Sequence, residues 1–440
     1  MIRVRFAMAP VGNLSIGGAR IALANDLVAR RGNGRMLLRL DDLDTERSRP
    51  AQVDQMMRDL RWLGIDWHCS FRQSERMAVY QAAIDRLIGD RLLYPCFESE
   101  QELRAKREFR RKRNQSPIYD RAMLSLTAKQ RQDAEAGGKR PHWRLKLSGR
   151  TLQWNDLILG ARQAVLSAVS DPVLVRSDGS PTPILASVVD DLDFATTDVI
   201  RGDDSPGNTA IQIELFEILG GARIPRFGLL GPLHEAAGAM AGRSAGSVLV
   251  RGLRHDGVEP CGVAAGLTGI TAADGDPLTL NQLAQRLSLA DFAACRFDAA
   301  TMLRINRRVL GRLDFTAVAD RLPADATEAF WLAVRGSLDV LKEARGWWDV
   351  VNGSIVPPEI EGARDLLLTA RSLLPREPWD NTVWANWVAA LEPITGLTGD
   401  ALAAPLRLTL TAEDSGPDLA DLLPLIGHSR AAARLAIAAG

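Results

Sequence analysis

The chain has 440 residues, 46% of them hydrophobic and 25% charged, and its formal net charge is zero. That length allows several domains, each with a core of its own. The neutral balance excludes a global field toward nucleic acid or membrane, so any such attraction has to come from local patches.

Arginine carries nearly all the positive charge; the lysines are Lys106, Lys112, Lys129, Lys139, Lys146 and Lys342. Cys69, Cys96, Cys261 and Cys295 are far apart, and the histidines are scattered. No metal cluster is therefore expected, zinc included, and the thiols are predicted to be reduced and mostly buried. No signal-peptide pattern or bilayer-length apolar run is present, so the reading is a cytoplasmic chain, monomeric and without a membrane partner.

In chain order, Ile2 to Ala7 alternates like a short strand, and Pro10-Val11-Gly12 breaks it. Apolar residues recur at helical spacing from Ile16 to Ala29, and Met36 to Leu40 reads as the next strand, ending in Asp41-Asp42. Strand, glycine turn, helix and strand open a nucleotide-binding α/β domain. Ala51 to Leu63 is amphipathic, with Val53, Met56, Met57, Leu60 and Leu63 on one face.

After Pro95 comes a highly charged helix, Glu98 to Arg113, then a polar stretch and a strand-like His142 to Leu147; this reads as an insertion. A second α/β half resumes near Asp171, with strands expected to end at Val188-Asp191 and Val199-Gly202. From about Leu278 the chain is helical, and Arg434 to Gly440 is expected to fray.

Several segments together carry a family resemblance. They are R-F-A-M-A-P-V-G-N-L-S-I-G-G-A-R from Arg5, L-R-L-D-D-L-D-T-E-R-S from Leu38, L-Y-P-C-F-E-S from Leu93 and G-G-K-R-P-H-W-R from Gly137. S-V-V-D-D-L-D-F from Ser187 and R-G-D-D from Arg201 follow, with P-W-D-N, P-L-R-L-T-L-T and G-P-D-L in the C-terminal half. With these, essentially the whole chain resembles the bacterial glutamyl-tRNA synthetases.

The resemblance implies an α/β class I synthetase Rossmann-type catalytic domain with an α+β insertion, followed by an all-α C-terminal anticodon-binding-type domain. The catalytic part is expected at residues 1–95 and 185–250, the insertion, reaching the tRNA acceptor end, at 96–184. A stem-contact-like helical region at 251–320 and an anticodon-binding-like domain at 321–440 complete the expectation. The implied reaction is ATP-dependent charging of tRNA with glutamate through a glutamyl-adenylate, with magnesium.

Two short motifs do most of that chemistry in the family. In the first, H-I-G-G or H-I-G-H, the histidine contacts ATP phosphates while a glycine turn lets them approach N–H groups at the positive end of a helix. In the second, a K-M-S-K-S-like loop, lysines neutralise the leaving pyrophosphate; such preorganised charges lower the barrier strongly.

Here Ser15 replaces the histidine, although Gly12, Gly17 and Gly18 remain at nucleotide-binding positions. Upstream, P-S-P-T-G has become Met8-Ala9-Pro10-Val11-Gly12. The second motif falls in Ala236 to Ser247, where Ala239-Met240-Ala241-Gly242-Arg243 stands for K-L-S-K-R. Met240 and Ala241 occupy nucleotide-facing positions, and Arg243 is the one cation left to act there. No lysine lies between Lys146 and Lys342, and a fixed guanidinium fork is no direct substitute for a mobile ammonium. Elsewhere Pro183 replaces a tyrosine, Ser205 a histidine and Leu43 a threonine.

Arg5, Asp41 and Arg201 persist where the family grips the amino acid. Each also has a purely structural reading: Arg5 and Arg201 as ion-pair partners of Asp41 and Asp203, Gly17 and Gly18 as a packing turn. The resemblance implies tRNA contact for Arg104, Arg107 and Arg111 on one helix face and for Arg407 and Arg430, against the alternative of solvated surface. The tryptophans near Trp331, Trp347, Trp379 and Trp387 are expected in a core rather than stacked on bases. Cys96 is expected to be a buried thiol.

Three functions stay open. The first is a synthetase-like protein that binds tRNA with lost or strongly reduced charging. The second is a divergent active ligase using glutamate, ATP and magnesium, and the third an ATP-independent aminoacyl transferase.

Overall fold

The computed structural model describes residues 1–202, 206–221, 223–234 and 248–440. It divides into two compact units. One comprises Met1–Arg251, Leu267–Ile270 and Thr279–Phe297; the other comprises Gly252–Gly266, Thr271–Leu278 and Asp298–Gly440.

The first unit runs β1 (Arg3–Met8), α1 (Ile16–Arg31), β2 (Arg35–Leu40), α2 (Pro50–Trp62), β3 (Cys69–Arg72), α3 (Met77–Gly89) and β4 (Leu93–Cys96). It continues with α4 (Glu100–Lys112), α5 (Ala128–Ala136), β5 (His142–Leu145), β6 (Thr151–Asp156), β7 (Gly160–Val165) and β8 (Val173–Val175). Then come α6 (Pro183–Asp193), β9 (Asp198–Gly202), α7 (Pro206–Ile218) and β10 (Arg226–Leu230).

β1, β2 and β3 pair in parallel, as do β9 and β10. The Thr197 N–H donates to the Arg3 carbonyl at 2.8 Å and so brings β9 alongside β1. Two βα halves joined through their first strands are the Rossmann arrangement, and ligands bind beyond the carboxyl ends of such strands. β1 and β2 end at Met8 and Leu40, which places Asp41 and the turn before α1 at that edge.

α1 carries Leu23, Ala24 and Leu27 on its buried side, and its last turn holds Arg30 and Arg31, favourable at a helix C-terminus. Four of its side chains bond other segments of the unit, Arg30 and Arg31 at its end and two along its length. Asn25 donates to the Ile200 carbonyl at 3.1 Å. Arg20, 2% exposed, donates to the carbonyls of Gly231, Phe292 and Ala293.

Between the halves, β4, β5 and β8 form an antiparallel sheet and β6 and β7 a hairpin, flanked by α4 and α5. α4 starts with a reciprocal cap, Ser99 accepting from the Glu102 N–H while the Glu102 carboxylate accepts from Ser99.

In the second unit, Trp331 and Trp387 are fully buried, and their indole N–H groups donate to the Leu313 and Ala370 carbonyls. Partly buried Trp347, Trp348, Trp379 and Trp384 pack against the same core. Both large apolar area and the indole donor are thereby satisfied.

Three sequence expectations are corrected. Val188-Asp191 is not a strand end but lies inside α6, whose Pro183 occupies the first turn where its missing N–H does no harm. Residues 434–440 do not fray. The helix His428–Ala439 continues to the end, with Arg434 buried and donating to the Leu410, Val350 and Gly353 carbonyls. Finally, among the cysteines only Cys96 is buried, Cys261 and Cys295 are half-exposed and Cys69 is exposed; none forms a disulfide among the described residues. No described helix is long and apolar enough to cross a membrane.

Candidate functional site

Ser15 is the N-cap of α1. Its backbone is extended, at φ −80° and ψ 162°, and its hydroxyl accepts the Gly18 N–H at 3.2 Å. The neighbouring first-turn donors are largely committed. The Ile16 N–H reaches the Val248 carbonyl at 3.0 Å and the Ala19 N–H the Ser15 carbonyl at 2.8 Å. Among the described residues, that leaves the Gly17 N–H as the uncommitted donor.

The glycines of the turn differ in purpose. A Cβ on Gly12 would meet nothing, and one on Gly17 only the Ser15 hydroxyl at 3.7 Å, whereas one on Gly18 would press on Leu14 at 3.0 Å. Gly17 keeps the face of the helix end open, and Gly18 lies close against the Leu14 side chain. The turn therefore fits the approach of an anion to one backbone donor. Arg243, Met240 and Ala241, with the rest of the second motif, lie outside the described residues, as do Asp203, Asp204 and Ser205.

The residues expected to hold the amino acid come together. Arg5, Asp41 and Arg201 line one cavity of about 280 Å³ at the carboxyl edge of the sheet, joined by Arg39, Ser187 and Gln212. Their pairing differs from the expectation: Arg5 is bonded to Asp191, Nε to Oδ1 at 2.9 Å, and not to Asp41. Asp41 instead receives two hydrogen bonds from Arg39, at 2.7 and 3.2 Å. Arg201 donates to the Thr209 hydroxyl at 3.2 Å.

Beneath the cavity, Asp190 accepts from Gln73, Arg76 and Tyr80, a charge satisfied on all sides. Burial raises the Asp190 carboxyl above the usual range despite these donors. Burial likewise lowers the Arg5 guanidinium, with Asp191 pulling the other way. For Arg39 burial also opposes the charge, but Asp41 and Asp191 outweigh it and hold the group above its ordinary value. The network fixes cations at the cavity wall before any ligand arrives, which is how charged recognition is preorganised.

Arg39 and Asp191 were not singled out by the motifs. Their signal was an ionisable residue inside an otherwise apolar run: Arg39 within Met36-Leu37-Leu38-Arg39-Leu40, and Asp191 at the end of Val188-Val189-Asp190-Asp191.

The expected tRNA-contacting residues are not among those lining this cavity. Arg104, Arg107 and Arg111 are exposed along α4, Arg104 paired with Glu100 one turn away. Arg407 is half-buried and donates to the Pro417 carbonyl at 3.0 Å, and Arg430 donates to the Ile426 carbonyl. Cys96 is buried with its Sγ 3.7 Å from the Tyr119 hydroxyl. Among the described residues, no group of three or more His, Cys, Asp or Glu is placed to hold a metal.

A parallel sheet with a glycine turn at its carboxyl edge and a cation-lined cavity beside it is the arrangement of a Rossmann-type ligand-binding domain, and the class is that of the class I synthetases. Residues 1–238 match the family model for the class I tRNA synthetase (E and Q) catalytic domain, and residues 358–439 match an anticodon binding domain. A relative named glutamate--tRNA ligase 2, from Acidiphilium cryptum, is 52% identical over all of both chains. One of the same name from Granulibacter bethesdensis is 49% identical over 100% of this chain and 99% of its own. The chain belongs to the glutamyl-tRNA synthetase family.

Its fold is also that of a crystal structure of a glutamate tRNA ligase from Elizabethkingia meningosepticum in complex with its amino acid. That match has a TM-score of 0.81 at 23% identity and covers 100% of this chain and 99% of the other.

Proposed function

We propose that this chain is a glutamate- and tRNA-binding member of its family in which ATP-driven charging is lost or strongly reduced. The observation that carries the reading is the cap at Ser15. Where the family places a phosphate-contacting histidine, this chain has a short hydroxyl that is already engaged with the Gly18 N–H. The missing lysines of the second motif act in the same direction, since none lies between Lys146 and Lys342.

Loss of a single preorganised donor slows a reaction by about 10²–10³-fold. Losing a histidine and two lysines that serve one step exceeds that, though not as a simple product. The amino-acid cavity, by contrast, keeps three arginines and a carboxylate, and α4 keeps an exposed basic face suited to phosphate contact. On this reading the protein acts in the cytoplasm as a monomer.

Glutamate-dependent exchange of labelled pyrophosphate into ATP, with tRNA and magnesium present, separates the possibilities. Background-level exchange is expected; robust exchange overturns the reading. tRNA affinity measured across salt should fall steeply as salt rises, and the absence of binding at low ionic strength removes the tRNA half.

A second reading is a divergent active glutamate--tRNA ligase. It is favoured by the intact cavity with Arg5, Arg39, Asp41 and Arg201, and it requires Arg243 to replace the lysine loop.

A further inference from the structure

The cavity contains a side chain that neither the ion pairs nor the family motifs employ. Gln212 on α7 lines it and is 8% exposed, and its Oε1 is buried with no hydrogen-bond partner. A buried carbonyl oxygen without a donor is unfavourable, and such orphans in native folds point to an absent partner. Asn208 and Gln212 are four residues apart, so α7 turns both toward the same cavity.

The chemistry of the wall defines the partner. Arg5, Arg39 and Arg201 all present donors, which suits the carboxylates of a ligand and places the acceptor end of the Gln212 amide inward. Asp41 is the expected seat for an ammonium, yet Arg39 already donates to both of its oxygens. An ammonium has three N–H donors to place, and the shared carboxylate accepts only part of them. The unpartnered acceptor on the same cavity is Gln212 Oε1.

We propose that Gln212 is an amino-acid-binding residue whose Oε1 accepts a hydrogen bond from the α-ammonium of the bound ligand, alongside Asp41. The assignment rests on the reading that this cavity binds an amino acid. It makes the pocket selective for an amino acid over a dicarboxylate of the same length that lacks the ammonium.

The test is calorimetric titration of the full chain with L-glutamate and with glutarate, its deaminated counterpart. Wild type should prefer glutamate by about 10- to 100-fold, the range of one hydrogen bond to a charged group. Gln212→Met keeps the length and apolar packing of the side chain and should collapse the preference by weakening glutamate alone. Gln212→Glu restores an acceptor and should keep the preference, so it serves as an independent reading if the Met variant folds poorly.

An unchanged preference in Gln212→Met, equal weakening of both ligands, or a lost preference in Gln212→Glu overturns the assignment while leaving the cavity a binding site. Binding of neither ligand by the wild type overturns the cavity reading itself, and the assignment with it.

Discussion

The cavity and the turn occupy the same edge of one sheet, and they have fared differently. At the cavity, Arg5 is held by Asp191 and Arg39 by Asp41, and Asp190 behind them accepts from three donors. At the turn, Ser15, which stands where the resemblance expects a histidine, uses its hydroxyl to accept from its own helix. A residue embedded in a buried network cannot change without leaving an unpaired charge behind, whereas a cap can change at small expense in stability. The difference teaches that a pocket is preserved by its folding role as well as by its ligand, and a catalytic side chain at a helix tip is preserved by its chemistry alone.

The comparison breaks most visibly at Arg5. Arg5→Met removes the nearest cation of buried Asp191, which keeps the Thr196 hydroxyl and the more distant Arg39, and should destabilise the fold by about 1.5–3 kcal/mol. The midpoint of urea denaturation reads this; an unchanged midpoint means that the network is not what holds the cavity. Arg201 is the sharper probe of binding, because it lines the cavity and its guanidinium donates to the neutral Thr209 hydroxyl. Arg201→Ala should weaken L-glutamate binding by about 10- to 100-fold, the range of a charge-assisted contact, as measured by calorimetry.

At the turn the effects are smaller. Ser15→Ala should lower stability by about 1 kcal/mol through loss of the cap and leave glutamate affinity unchanged. A drop in glutamate affinity in that variant would erase the separation between the two regions.

The smallest effect comes from a residue outside both. His142 on β5 is pushed below the ordinary imidazole range, first by burial and then by the positive charge of Arg144. Its neutral form is therefore favoured in the fold, and the unfolded chain takes up more protons on moving below about pH 6.5. Stability should rise with pH up to that value and level off above it. Denaturation midpoints at mildly acidic and mildly alkaline pH should converge in His142→Gln; persistence of the full difference assigns it to another group.

The Rossmann opening was legible because helix and strand periods differ so clearly on either side of the Gly12 break. α6 was misread because a helix buried on several sides presents Val188-Val189 as a short apolar run, and periodicity cannot separate that from a strand. The start signal, Pro183, stands in the sequence, where the resemblance marks it only as the replacement of a tyrosine.

The site was legible at Arg5, Asp41 and Arg201, which share a cavity, but not in its pairing. Which carboxylate meets Arg5 depends on two segments 186 residues apart, and no local pattern encodes that. Gln212, which lines the cavity, belongs to no motif, although it interrupts the apolar run Ala210-Ile211-Gln212-Ile213, a position where a polar residue needs a reason. At the far end, Ala-rich composition concealed Arg434, whose buried carbonyl contacts keep the last helix ordered.

Arg20 gives α1 a mechanical independence. Its guanidinium grips three backbone carbonyls from the segments at Gly231 and at Phe292-Ala293, so the helix is anchored along its flank as well as by the backbone bonds at its tip, Ile16 to Val248 and Val250 to Leu14. The tip is accordingly a platform whose position survives a change of side chain. A histidine introduced at position 15 would arrive on a backbone already in place, and any gain or absence of ATP chemistry would report on the side chains themselves rather than on a displaced scaffold.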